Sequence, residues 1–271
     1  MVFQVSGHHR PRARPRGCAL FARGAAVLCC VAWLSLGGGR AAAGPDMAGL
    51  QRTGEWNRLA VLWHTMIDHS SNRTFSRERF ESLAKDMDVA DADISALEKQ
   101  GLLPRDVAAD LRRLFHARYE YIDKYHYITS SNVFMTSSES AASTSHWLTE
   151  HNLYVIRATA ATPGADPRLV EAAESSTAYE LAFQHHLDKF EAEVQQRREA
   201  LNRQEGEGKR VDWQAFDNDC ERRRNLLFDA YRDRRIPIPR SVRALMPYVL
   251  ALTRARPDWS SEAGVSISPG Q

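Results

Sequence analysis

The sequence predicts an all-α protein, an antiparallel helical bundle with long coiled-coil-like helices. Two observations lead there. Apolar residues recur at helical spacing through most of the chain from Trp56 onward, with no alternating ladder of the kind a sheet needs. The longest periodic stretch, from Asp166 to about Asn202, gathers Leu169, Ala172, Ser176, Tyr179, Phe183, Leu187, Phe190, Val194 and Leu201 into one narrow stripe. Composition agrees: 43% hydrophobic and 26% charged residues exclude a polytopic membrane protein, a collagen-like fibre and a wholly disordered chain.

The first segment stands apart from that fold. Residues 1–43 hold Arg10, Arg12, Arg14, Arg16, Arg23 and Arg40, with no Lys and no acid. An apolar run from Ala25 to Leu36 follows the basic part, then Gly37-Gly38-Gly39 and Ala41-Ala42-Ala43. Charged start, apolar block and small-residue cleavage site are the parts of a secretory signal peptide, with cleavage expected after Ala43. The expectation is an exported protein, periplasmic or secreted. The alternatives are a membrane anchor over residues 18–39, which Arg23 interrupts, and an Arg-rich transit peptide. Without the leader the chain holds 30 basic and 34 acidic residues, a net −4 in place of the full chain's +2. Cys18, Cys29 and Cys30 leave with it, and Cys220 alone makes no internal disulfide.

Residues 44–258 read as the helical domain and 259–271 as a flexible tail. The first helix carries Trp56, Leu59, Ala60, Leu62, Trp63, Met66 and Ile67 on one side and ends at Ser70-Ser71-Asn72. Two short helices are expected next, one from about Ser76 with Phe80, Leu83, Ala84 and Met87 inward, one from Asp91 to Gly101. Pro104 opens a long helix to about Ile128, with Val107, Leu111, Leu114, Phe115, Tyr121, Ile122 and Tyr125 on its apolar face. Of the seventeen residues 129–145, ten are Ser or Thr. They read either as a surface segment or as a small-residue helix packed closely on its neighbours. His146 to Ala161 reads as helix, with a strand at Leu153–Ile156 as the alternative. Asp166-Pro167 caps and starts the long helix, Gly206 and Gly208 mark a turn, Asp212 begins another helix, and Ser241 to Arg256 is the last.

Histidines are the first candidates for chemistry. His64 precedes Asp68, His116 precedes Glu120, and His146 precedes Glu150, each by four residues, a spacing that puts both side chains on one helix face as a metal site needs. The run His116, Glu120, His126, His146, Glu150 is similar in spacing to the ligands of all-helical zinc phosphoesterases of the phospholipase C type. That family's glycine- and proline-containing ligand stretch is absent, so the chain is not assigned to it. On the helical wheel His116 and Glu120 face away from Leu111 and Ile122, and His64 and Asp68 lie off the Trp56–Ile67 stripe. A solvated face with helix-spaced charges is the plainer expectation. His126 and His186 border their apolar faces. No phosphate loop, nucleophile elbow, CxxC, HExxH or ExxH pair marks an enzyme.

Charge is divided along the chain. Residues 166–220 hold 13 acids and 7 bases, and residues 221–256 hold 10 Arg and 3 acids. The plain expectation is an acidic helix lying against a basic one. The functional one is contact with a protein or an anionic cell-envelope partner through Arg222, Arg223, Arg224, Arg234, Arg235, Arg240 and Arg243, since Arg suits bidentate contact with carboxylate or phosphate. Nucleic acid is not an expected partner of an exported chain at −4. Membrane contact is expected only through an uncleaved leader or the basic helices; oligomerisation stays open. The sequence thus points to an exported helical binding or scaffold protein. A metal-dependent, hydrolase-like enzyme built on the histidine–carboxylate pairs is the alternative.

Overall fold

A computed structural model describes residues 46–72, 77–128 and 137–257. The expected leader, the alternative anchor, the tail at 259–271 and residues 129–136 lie outside the described residues. Those described are all-helical: α1 (Met47–Leu50), α2 (Gly54–Asn72), α3 (Arg77–Lys99), α4 (Arg105–Ile128), α5 (Ser137–Ala160), α6 (Pro167–Gly206), α7 (Trp213–Arg232) and α8 (Arg240–Arg254). None of these helices is long and apolar enough to cross a membrane.

α2 starts where Thr53 accepts the Trp56 N–H at 3.1 Å, and every residue from Leu59 to Ile67 is buried. It touches α3, α4, α5 and α8, so it has no solvent side along this stretch. This corrects the expectation for His64, placed by the wheel on a solvated face. The wheel assumes a helix covered on one side only. His64 is buried with its Nε2 3.0 Å from the Leu252 carbonyl oxygen, and Trp63 donates to Thr253 Oγ1 at 3.0 Å. The N-terminal and C-terminal helices therefore meet in the interior.

α3 is a single helix, not the two short ones expected. Leu83, Met87, Ala90, Ile94 and Leu97 are buried at heptad-like spacing straight through the Asp-rich stretch, and no Gly or Pro interrupts them. Gly101 then turns the chain at φ +74°, a left-handed conformation that favours glycine. α5 begins well inside the Ser/Thr-rich segment. Ser145 is fully buried there, so the small-residue-helix reading holds for its described part, and Leu153–Ile156 is helix rather than strand.

α6, capped by Asp166, runs for 40 residues, about 60 Å at 1.5 Å per residue. Its first part lies along α5: Ser176 accepts from Asn152 at 2.9 Å, and Gln184 donates to Ser145 and Thr149. α7, capped by Asp212, packs on α6. α8 touches α2, α4, α5 and α6 and buries Val242, Leu245, Tyr248, Val249 and Leu252. Two apolar cores result. The larger joins α2, α3, α4 and α8, and the smaller gathers Tyr179, Ala182, Phe183, Leu187 and Phe190 of α6 with Ile236 and the inner face of α7. Leu181 belongs to the first and Ala182 to the second, so α6 is a wall of both.

Candidate functional site

A groove of about 390 Å³ runs between α4, α6 and α8. Leu114, Ala117, Leu181, Val242 and Leu245 form its apolar floor, and Asp110, Arg113, His185, Asp188 and Lys189 its ionisable rim. The geometry follows from three helix flanks. On α6 the residues 181, 184, 185, 188 and 192 fall beside the stripe that packs on α5 and α7, so they face the gap toward α4 and α8. Arg113 is held by Asp110 one turn away. Asp188 has no hydrogen-bond or ion-pair partner among the described residues. It keeps an exposed edge, but the groove walls withdraw it from bulk water and push its carboxyl up to about 6, with the Glu191 and Glu120 carboxylates adding to the shift and Arg113 opposing it. His185 beside it is held below the ordinary histidine range by burial and by the charges of His186 and Arg113. A concave apolar floor with convergent perturbed ionisable groups is the physical profile of a ligand site.

A second set of polar contacts starts in the interior, where α2, α4 and α5 meet. Arg118 donates to Glu150 at 2.6 Å, and its guanidinium carbon stands 4.2 Å from the centre of the Trp63 ring. The Nε and Nη1 of Arg118 are buried without hydrogen-bond partners, so the Trp63 face stands in for them. His146 stacks on Tyr121 with ring centres 5.0 Å apart; burial, helped by the charge of Arg118, pulls it down to about 4. Farther along, fully buried Glu180 accepts from Tyr231 at 2.6 Å and from Arg234 at 3.1 Å. Desolvation and the Glu180 charge push the Tyr231 phenol upward. Arg234 adopts φ +55°, an uncommon conformation for a non-glycine residue, while its guanidinium lies 4.5 Å from the Tyr179 ring centre. The helix-ending turn and the buried carboxylate together hold it there.

Among the described residues the metal candidates do not come together. His116 pairs with Asp91 of α3 at 2.9 Å rather than with Glu120, which is exposed and acts on Asp188. Glu150 is committed to Arg118, and His186 is 3.1 Å from the Pro237 carbonyl oxygen. His126 lies on α4, and its side chain is outside the described residues. Among the described residues no group of three or more His, Cys, Asp or Glu could hold a metal ion.

The arginines divide in two. Arg223 bridges to Glu193 of α6, Arg222 pairs with Asp219, Arg234 with Glu180 and Arg235 with Asp233. Arg224 packs toward the Phe190 ring, and the exposed Arg240 and Arg243 meet no carboxylate among the described residues. One further exposed feature went unread in the sequence: Trp147, 54% exposed, and Tyr154, 45% exposed, stand with His151 on one face of α5.

Comparison with protein-family models, with curated proteins and with solved structures finds no match. The functional reading therefore comes from the groove and the buried polar contacts.

Proposed function

We propose that the protein is an exported helical-bundle binding protein that holds a small amphipathic ligand in the groove between α4, α6 and α8. Its long helices, with the coiled-coil-like stripe of α6 at their centre, act as the scaffold. The single observation that carries this reading is the groove itself, an apolar floor ringed by ionisable groups with an unpaired carboxylate at its edge. The interior supports a binding role over one in proton transfer. Buried Arg118 is engaged with Glu150, and buried Glu180 with the half-buried Tyr231, and these pairs serve to fix helix positions. Export follows from the leader pattern of residues 1–43. The exposed Arg240 and Arg243, with Arg224, would supply any contact with an anionic partner.

The test is a neutral solvatochromic dye such as Nile red. Its fluorescence should rise on addition of the purified protein. Ala117→Trp with Ala192→Trp fills the groove with two indoles and should abolish the rise while the helical circular dichroism stays unchanged. A folded double variant that binds the dye as well as the parent places binding elsewhere.

A further inference from the structure

The charges around the groove do not balance: the carboxylates of Asp110, Asp188, Glu120 and Glu191 stand against two cations, Arg113 and Lys189. Asp188 is faced from α4 by Glu120, Arg113 and Asp110, and from its own helix by Glu191, His185 and Lys189, while α8 contributes only uncharged residues, Ser241, Val242 and Leu245, to the lining. Arg113 is already held by Asp110. The two carboxylates that act on Asp188, Glu120 and Glu191, likewise have no ion-pair partner among the described residues. Below this edge the floor is aliphatic, Leu114, Leu181, Val242 and Leu245. An apolar body would bury itself there, and a carboxylate brought to the mouth of such a groove is stabilised most by a cation that shares its partial desolvation.

We propose that the ligand is an organic cation, an amine or quaternary ammonium on an apolar body, with the cationic head at Asp188 and the body on the Leu114–Leu181–Leu245 floor. The inference rests on the groove reading above and adds the charge of the ligand to it. A carboxylate ligand would meet Asp188 at the rim, with the charges of Glu120 and Glu191 beyond it, and is disfavoured. A neutral one gains the floor only.

The pH dependence follows from the same geometry. An alkylamine stays protonated throughout the range near neutrality, so the titrating partner is Asp188, which loses its charge as the pH falls through about 6. Cation binding is then fully present above that value and fades below it.

The experiment titrates hexylamine, hexanol and hexanoate into isotopically labelled protein and follows the amide signals of Ala117, Gln184 and Ser241. At about pH 7.5 hexylamine should bind roughly ten-fold more tightly than hexanol, and hexanoate more weakly than either; ten-fold is about 1.4 kcal/mol. At about pH 5, with roughly a tenth of Asp188 ionised, the advantage of the amine should shrink to about two-fold. Asp188→Asn should remove the advantage at both pH values and leave hexanol unchanged. Equal binding of the amine and the alcohol, or tighter binding of hexanoate, overturns the cation inference and leaves the groove intact. Absence of binding by all three at those amides overturns the groove reading and the inference with it. Asp188 lies on the exposed rim, so its substitution leaves the fold in place, and the hexanol control reports that directly.

Discussion

Arg118 on α4 and Glu150 on α5 form an ion pair in the interior, with side chains 3% and 7% exposed and a closest approach of 2.6 Å. Removing one member leaves the other charge stranded in a low-dielectric site. Arg118→Met should therefore cost about 3–5 kcal/mol, measured by urea unfolding. Arg118→Met with Glu150→Leu should recover much of that loss, since a packed apolar pair often equals a buried ionic one. A single variant as stable as the parent would mean that water reaches the pair.

Glu180 depends on two donors from beyond α6. Tyr231→Phe removes the shorter hydrogen bond and should cost about 1–3 kcal/mol. Arg234→Ala removes the other and, since alanine is no easier at φ +55°, should also destabilise. The two losses should be non-additive in a double-mutant cycle, because the groups share one carboxylate.

Acid should weaken the fold in a defined window. His146 is held at about 4 in the folded chain, against about 6.5 for an unperturbed histidine. Between those values the unfolded chain binds a proton that the folded chain does not, so stability falls as pH drops from about 6.5 toward about 4. His146→Gln should flatten that part of the profile of urea midpoint against pH. Asp188 acts in the opposite sense. Its raised value means that ionisation in the folded state is penalised, so Asp188→Asn should raise the melting temperature near pH 8 and have little effect near pH 3.

Metal content separates the binding reading from a metalloenzyme. Untagged protein should carry zinc well below one equivalent by plasma mass spectrometry, because His116, Glu150 and His186 each face a partner other than one another. One equivalent of zinc, lost on His126→Ala and on His146→Ala, would reverse this conclusion.

Most helices could be read from the sequence, because apolar periodicity, Asp166, Asp212 and Gly101 act within a few residues of the boundaries that they set. The site could not. Asp188 looks like any acid on the flank of an amphipathic helix until α4 and α8 close around it. His64 was misplaced because a wheel does not say how many neighbours a helix has, although the unbroken apolar density around Trp63 carried that signal. Arg118 left a trace as well. It sits at the same spacing as Leu111, Phe115 and Ile122, and a charge on that face points inward.

Trp63 and Thr253 are 190 positions apart and share a buried hydrogen bond. The larger core closes only when α8 is laid against α2, so a chain emerging from the ribosome holds its first helices open until α8 has been made. Such a molecule gathers its structure late and all at once. Under the export proposed above, that delay would be an advantage rather than a cost, since a chain is threaded through a secretion pore before it folds.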